Sequence, residues 1–306
     1  MEVGVHLPQI GIFGGLPSRR EVLATVEAAV ACGAVALSAN DHFAFPVPWL
    51  DGMIALAVAS RESGPLDLVT SVTLPGLRGP VPVASTLAGL SCVSDGRVIA
   101  GVGPGSSAAD HRLLGRSFEE RWSGFEASVV ELRELLSSGT SDVGRRPAAV
   151  AVARTPIPVW VASWGSPAGL RRVARLGDGW LASAYHQEPA DFRRSSATLA
   201  ELVAERGGTP LPHAVVTMWL WITSSPSEAT AVLSRLAVLL GGDLETLRGR
   251  VCVGSVEHCA ELLARYADAG CRRVHYWPVG DAPRQLAMLV EQVLPRLTAA
   301  SQQPGG

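Results

Sequence analysis

Four places in this 306-residue chain combine residue types at spacings that can do chemistry. Asp41-His42 sets a carboxylate beside an imidazole, which can supply or remove a proton near neutral pH or hydrogen-bond a bound ring. Ser163-Trp164-Gly165-Ser166-Pro167 ends an apolar run and opens a helical stretch, so its free backbone amides and helix dipole suit a phosphate; on these residues alone, plain helix capping is the equal alternative. Gly101-Val102-Gly103-Pro104-Gly105 has G-x-G-x-G spacing but lacks the βαβ unit and following acid of a dinucleotide fingerprint. It reads better as backbone passing close beneath a flat ring, or as a simple turn. The fourth place, Thr70-Ser71-Val72-Thr73, ends another apolar run.

Other chemistries lack their residues. All 26 residues counted as Lys+Arg are arginine, so a lysine Schiff base is excluded. The histidines, His111 and His186 among them, show no H-x-H or H-x-x-x-H spacing, so no metal is expected, and no G-x-S-x-G elbow marks a hydrolase. Five cysteines without a C-x-x-C pair read as reduced thiols. A net charge of -2 argues against nucleic acid or an anionic membrane as partner and leaves a small-molecule substrate. With no leader and no apolar run long enough to span a bilayer, the expected location is cytoplasmic.

These residues need elements to position them, and short apolar runs alternate with helical stretches throughout, the pattern of βα units on a parallel sheet. Eight strands are expected, at 3–7, 35–39, 68–73, 98–102, 158–162, 180–184, 214–222 and 273–276, giving an α/β fold of the (β/α)8 TIM-barrel type. Helix starts are signalled by Ser18 with Glu21, by Ser166-Pro167 and by Ser255. Residues 1–299 are read as one barrel domain, 137–156 as a surface excursion and 300–306 as a disordered tail. In such a barrel the strand C-termini form the active face, which brings all four places to one mouth.

The ordered series of strand-end motifs resembles the luciferase-like monooxygenase superfamily. It comprises Gly4-Val5-His6-Leu7-Pro8-Gln9, Asp41-His42, Arg78-Gly79-Pro80, Ser91-Cys92-Val93-Ser94-Asp95-Gly96-Arg97, the glycine turn, Phe118-Glu119-Glu120-Arg121, Pro156-Ile157-Pro158-Val159, Leu176-Gly177-Asp178-Gly179-Trp180, Gly254-Ser255, Tyr266-Ala267-Asp268-Ala269-Gly270 and Val293-Leu294-Pro295. The resemblance implies an oxidoreductase holding the deazaflavin F420, or alternatively FMN, across the barrel mouth. The ring would be propped by a bulge in the third strand with a cis peptide at Ser71-Val72. Asp41 and His42 would lie at its polar edge, Gly103 and Pro104 along its side, and Ser163, Trp164, Gly165 and Ser166 around its phosphate. His42 is the catalytic candidate, while Trp49, Tyr185, His186 and Trp277 are candidates for a substrate pocket.

Two departures refine this expectation. Related F420-dependent sugar-phosphate dehydrogenases carry a glutamate just after the glycine turn, whereas this chain has Ser106. Some FMN enzymes place a phosphate-binding arginine within the turn, where Pro104 stands here. The reading is therefore hydride transfer between F420 and an activated double bond of a small organic molecule, with FMN-dependent oxygenation and a non-catalytic flavin-binding subunit as rivals. Asp178-Gly179-Trp180 enters the sixth strand at the barrel's stable end and is expected to be structural. The family's habit implies a homodimer.

Overall fold

The computed structural model describes residues 1–138, 140–141, 148–149, 153 and 155–300, of which 140–141, 148–149 and 298–300 by backbone alone. Eight parallel strands close a barrel: β1 (Glu2–His6), β2 (Ala36–Ala39), β3 (Asp67–Thr70), β4 (Val98–Val102), β5 (Val159–Ala162), β6 (Gly179–Ser183), β7 (His213–Ile222) and β8 (Arg273–Pro278). Each pairs with the next, and β8 returns to β1 through Glu2 with Arg273 and Val5 with Tyr276. The α/β barrel read from the apolar runs is thus the fold.

Strand boundaries depart from expectation where the backbone is irregular. β3 stops at Thr70, the Ser71-Val72 peptide that follows is cis, and pairing resumes at Thr73, which bridges Val102. β7 carries Thr217 at φ 60, and its register with β8 shifts there. The last two residues of the Arg273–Pro278 strand, Trp277 and Pro278, and the short strand Cys252–Gly254 lie beyond the expected strands; the latter pairs with Leu220–Ile222 outside the closed set. Three apolar residues carry too little periodicity to separate a strand from a loop.

Helices α1 (Arg19–Ala31), α2 (Gly52–Ser60), α3 (Pro80–Val93), α4 (Arg121–Ser138), α5 (Pro167–Leu176), α6 (Pro189–Ala204), α7 (Pro226–Leu240) and α8 (Val256–Asp268) cover the outside. The three expected caps are present: Ser18 and Glu21 form a reciprocal box, Ser166 accepts from Gly169 N, and Ser255 accepts from His258 N. Of the 137–156 excursion, 137–138 instead end α4 and 140–141 pair antiparallel with 148–149, while 139, 142–147, 150–152 and 154 lie outside the described residues. The 300–306 tail is shorter than drawn at its start, since Ala300 ends the helix Leu294–Ala300; 301–306 lie outside the described residues.

Alternation along the strands sends one set of side chains outward to the helices and the other into the lumen. Ala36, Val69, Ile99, Trp160, Leu181, Ala214 and Val216 plug the lower lumen. Above them His275 lies across Gly4, where an added Cβ would come within 2.5 Å of the imidazole. His6 stacks on Trp277 (3.6 Å, 15°), which stacks on Trp219 (4.1 Å, 14°), so a column of rings supports the mouth from the β1, β7 and β8 side.

Candidate active site at the barrel mouth

His42 follows β2, and its imidazole is held by a residue that sequence reading did not select. Nδ1 lies 3.0 Å from Oδ2 of Asp110, a buried carboxylate on the short helix Ala108–Leu113. Asp110 Oδ1 also accepts from the backbone amides of Phe43 and Ala44 (3.0 and 2.6 Å). Burial works against its charge, yet the His42 contact and the two amides hold its carboxyl below the usual aspartate range. An ionised Asp110 makes Nδ1 the donor, leaving Nε2 as the nitrogen that can exchange a proton at the mouth. Only the tertiary fold joins residues 68 apart, so no local motif announced this dyad.

The neighbouring Asp41 points to a different task. Its carboxylate accepts from Thr73 Oγ1 (2.7 Å), Leu74 N (3.2 Å) and, in a two-pronged contact, Arg78 Nε and Nη2 (both 2.7 Å). Four donors fill its acceptor directions, so the side chain ties the end of β2 to the chain after β3. Arg78 also binds Asp51, which caps α2 through Met53 N and Ile54 N. Burial opposes the arginine's charge, but Asp41 and Asp51 outweigh it and push its pKa upward. Gln9, fully buried, donates to Asn40 O and Leu50 O and accepts from Asn40 N, which fixes both ends of the loop carrying His42 and Trp49.

Beside this lies the cis Ser71-Val72 peptide, its Val72 carbonyl accepting from Asp41 N. The glycine turn packs against it: a Cβ on Gly101 would fall 1.8 Å from Thr70 O, and one on Gly103 2.7 Å from Val72 Cγ2. Close packing of β3 on β4 thus requires glycine at 101 and 103. Pro104 is half-buried and Ser106 exposed. Ser71 Oγ is buried with no hydrogen-bond partner among the described residues, which leaves a donor at the strand end for a bound group.

Around the rim, Ser163 to Ser166 join β5 to α5. Gly165 sits at φ +84, where a Cβ would be 1.9 Å from Gln187 Nε2. Ser163 Oγ accepts from Gly165 N (3.2 Å), while Trp180 Nε1 donates to Ser163 O (3.1 Å), so the buried Trp180 props the loop from within. At the other barrel end, Asp178 accepts from Arg133 and from Val159 N, a structural role as expected. A cleft of about 580 Å3 opens here, lined by Trp164, Gly165, Ser166, His186, Gln187 and Arg194 among others. The residues fit a phosphate-bearing cofactor: α5 presents its N-terminus, glycine keeps the backbone bare, and Arg194 adds a cation.

The aromatic candidates divide into two groups. Trp49 sits 4.6 Å from the His42 ring and edge-on to Trp277 at 5.8 Å, linking the imidazole to the aromatic column. Tyr185 is half-buried beside Thr217 and Trp219, and burial raises its phenol pKa. His186 belongs elsewhere: it stacks on Trp164 (3.6 Å, 6°) over the cleft beside α5, and its Nδ1 lies 2.9 Å from Ser183 Oγ. It therefore borders the phosphate-side cleft rather than the Trp49 and Trp277 wall.

A closed parallel barrel with a part-buried His–Asp pair and a polar cleft at its C-terminal mouth has the architecture of the barrel enzymes, whose active face lies at the strand C-termini. Comparison with known proteins narrows the class. The profile of the luciferase-like monooxygenase family matches residues 2–243. The chain belongs to this luciferase-like family. It is 27% identical to an F420-dependent glucose-6-phosphate dehydrogenase of Amycolatopsis mediterranei, over 85% of this chain and 89% of that protein. Its fold is similar to that of the monooxygenase RslO1 from Streptomyces bottropensis (TM-score 0.82, 18% identity, 96% and 99% of the two chains). It is likewise similar to an F420-dependent secondary alcohol dehydrogenase solved with an F420-acetone adduct (TM-score 0.80, 18% identity, 97% and 98%).

Proposed function

We propose that this oxidoreductase uses F420, and that it acts as an F420H2-dependent reductase of an activated double bond in a small organic acceptor. The His42–Asp110 dyad carries this reading, because reduction of such a bond consumes one hydride and one proton and the dyad can deliver the proton. A deazaflavin held there would supply the hydride. Asp110 holds His42 in one tautomer, Nε2 gives a proton to the acceptor atom that does not receive the hydride, and solvent restores it. Trp49, 4.6 Å from the imidazole and backed edge-on by the buried Trp277, would shield the reacting atoms from water. Ser71, Val72, Gly103 and Pro104 would flank the ring, and Ser163, Trp164, Gly165 and Ser166 would hold the phosphate. Asp41 would act through the loop it ties down.

Sugar-phosphate oxidation is a poorer fit. The position after the glycine turn is the exposed Ser106, and the acid of this loop, Asp110, is turned inward to His42. FMN-dependent oxygenation is the competing reading, favoured by the same phosphate-type cleft but not by Pro104. As part of the proposal, the exposed Ile54 and Val58, one turn apart on α2, provide an apolar stripe for a homodimer. Among the described residues no helix is long and apolar enough to cross a membrane.

The test is equilibrium binding of the purified protein to F420 and FMN, oxidised and reduced, followed by anaerobic turnover with unsaturated carbonyl acceptors. F420 binding with turnover that collapses in His42→Ala is the expected result. FMN binding without F420 binding would sink the proposal, and F420 binding with no turnover on any acceptor would point to an accessory subunit.

A further inference from the structure

The phosphate-side cleft does not end at the rim. Its α6 wall is formed by Asp191, Arg194, Ser195 and Thr198. A second groove, of about 460 Å3, continues on the same helix face with Leu202, followed by Glu205 and Arg206, and takes Ala168, Arg171, Arg172 and Arg175 from α5. These α6 positions recur at three- and four-residue steps, one stripe of a helix. From 191 to 206 the stripe runs roughly 22 Å at the helical rise. The two clefts are therefore the upper and lower halves of one furrow between α5 and α6, leading from the phosphate cradle down the outside of the barrel.

Its charge is distinctive in a chain of net charge -2. The lower half gathers Arg171, Arg172, Arg175 and Arg206 against Glu126 and Glu205. Arg172 and Arg175 are occupied by Glu126, and Arg172 also lies 4.4 Å over Trp122. Arg171 and Arg206 are exposed and have no carboxylate partner among the described residues. At the top, Arg194 is held by Asp191. Gln187, only 2% exposed, lines the upper half with Oε1 unpartnered while Nε2 donates to Ser195 Oγ (2.8 Å). Ser195 can donate as well as accept, so a half-turn of the Gln187 amide would present Nε2 to an anion in the cleft.

We infer that this furrow binds the anionic oligo-γ-glutamyl tail of F420, with Arg171 and Arg206 as its cationic contacts beyond the phosphate. The inference rests on the deazaflavin reading. FMN ends at its phosphate and has nothing to place past Arg194, whereas F420 continues from its phosphate through a lactyl group into a chain of carboxylates. The furrow begins where that chain would leave the cradle and carries the complementary charge. Tail contacts lie far from the reacting atoms, so they set affinity and retention of the coenzyme rather than the rate of hydride transfer.

Binding of F420 forms with no glutamate, with two, and with five or more, followed by coenzyme fluorescence at roughly 50 and 300 mM salt, tests this directly. In the unmodified protein the long-tailed form is expected to bind about tenfold more tightly than the tail-less form at low salt, with most of that gain lost at high salt. Arg171→Glu with Arg206→Glu should abolish the gain and leave the affinity for tail-less F420 unchanged. Equal binding of all tail lengths, or a gain that survives the double reversal, overturns the inference while leaving F420 use intact. If no F420 form binds and FMN does, the deazaflavin reading and the tail site fail together.

Discussion

At the scale of single residues the site depends on charges that hold one another in place. Asp110 accepts from His42 and two backbone amides, so Asp110→Asn keeps the shape but removes the carboxylate that fixes the imidazole's tautomer. Turnover is expected to fall by about 10²–10⁴, with coenzyme affinity changed little. The distinguishing readout is the split between kcat and KM: losing the carboxylate should lower kcat while KM and the unfolding midpoint stay near their original values, whereas loss of a merely structural contact would lower the midpoint. Arg78 is a second such case, since Arg78→Met leaves Asp41 and Asp51 without their cation. By the cost of breaking a buried pair this should destabilise the fold by about 3–5 kcal/mol, discounted toward the lower figure because Asp51 and the arginine are partly exposed. A urea titration checks it.

At the scale of elements, the barrel mouth is built by tight backbone contacts as much as by side chains. Gly101→Ala puts a methyl 1.8 Å from Thr70 O, backbone that cannot step aside, so β3 and β4 must separate. The expected result is an insoluble or severely destabilised protein, whereas Gly89→Ala on α3, where nothing lies within 4 Å, should be neutral or slightly stabilising. The strand-and-helix order was legible because each barrel strand is an apolar run and each of three helix starts carries its own cap. His42 was legible as a titratable group just after a strand. Asp110 was not, because its role depends on a helix between β4 and α4 turning one side chain toward a loop 68 residues earlier. The charge network of Asp41 was hidden in the same way: Arg78 and Gln9 stood only as members of the motif series, and nothing in their spacing pairs Arg78 with Asp41 or Gln9 with Asn40. Cys252–Gly254 went unseen because three residues cannot display a period.

At the scale of the whole molecule, the lumen stores an acid sensitivity. His6 and His275 are both buried beneath the mouth, and burial lowers each to about 3. For His6 the Leu7 carbonyl at 2.8 Å partly offsets burial; for His275 the Arg273 cation and His6 add to it. Both rings are neutral in the fold, while the unfolded chain takes up their protons near pH 6.5. Between pH 6.5 and 3 the unfolded state binds more protons, so stability must fall as the pH drops through that window. Each histidine contributes a loss of about 2 kcal/mol by pH 5, of the order of 4 kcal/mol together. The depressed aspartates act lower, since stability from Asp51 and Asp110 is lost only as pH falls below the ordinary aspartate range. His275 has no hydrogen-bond partner on either nitrogen among the described residues. His275→Leu should therefore cost little at pH 7 and remove its own share, about 2 kcal/mol, of the loss in unfolding free energy between pH 7 and pH 5. An unchanged slope in paired urea titrations would show that the buried imidazoles are not the groups that destabilise the barrel in mild acid.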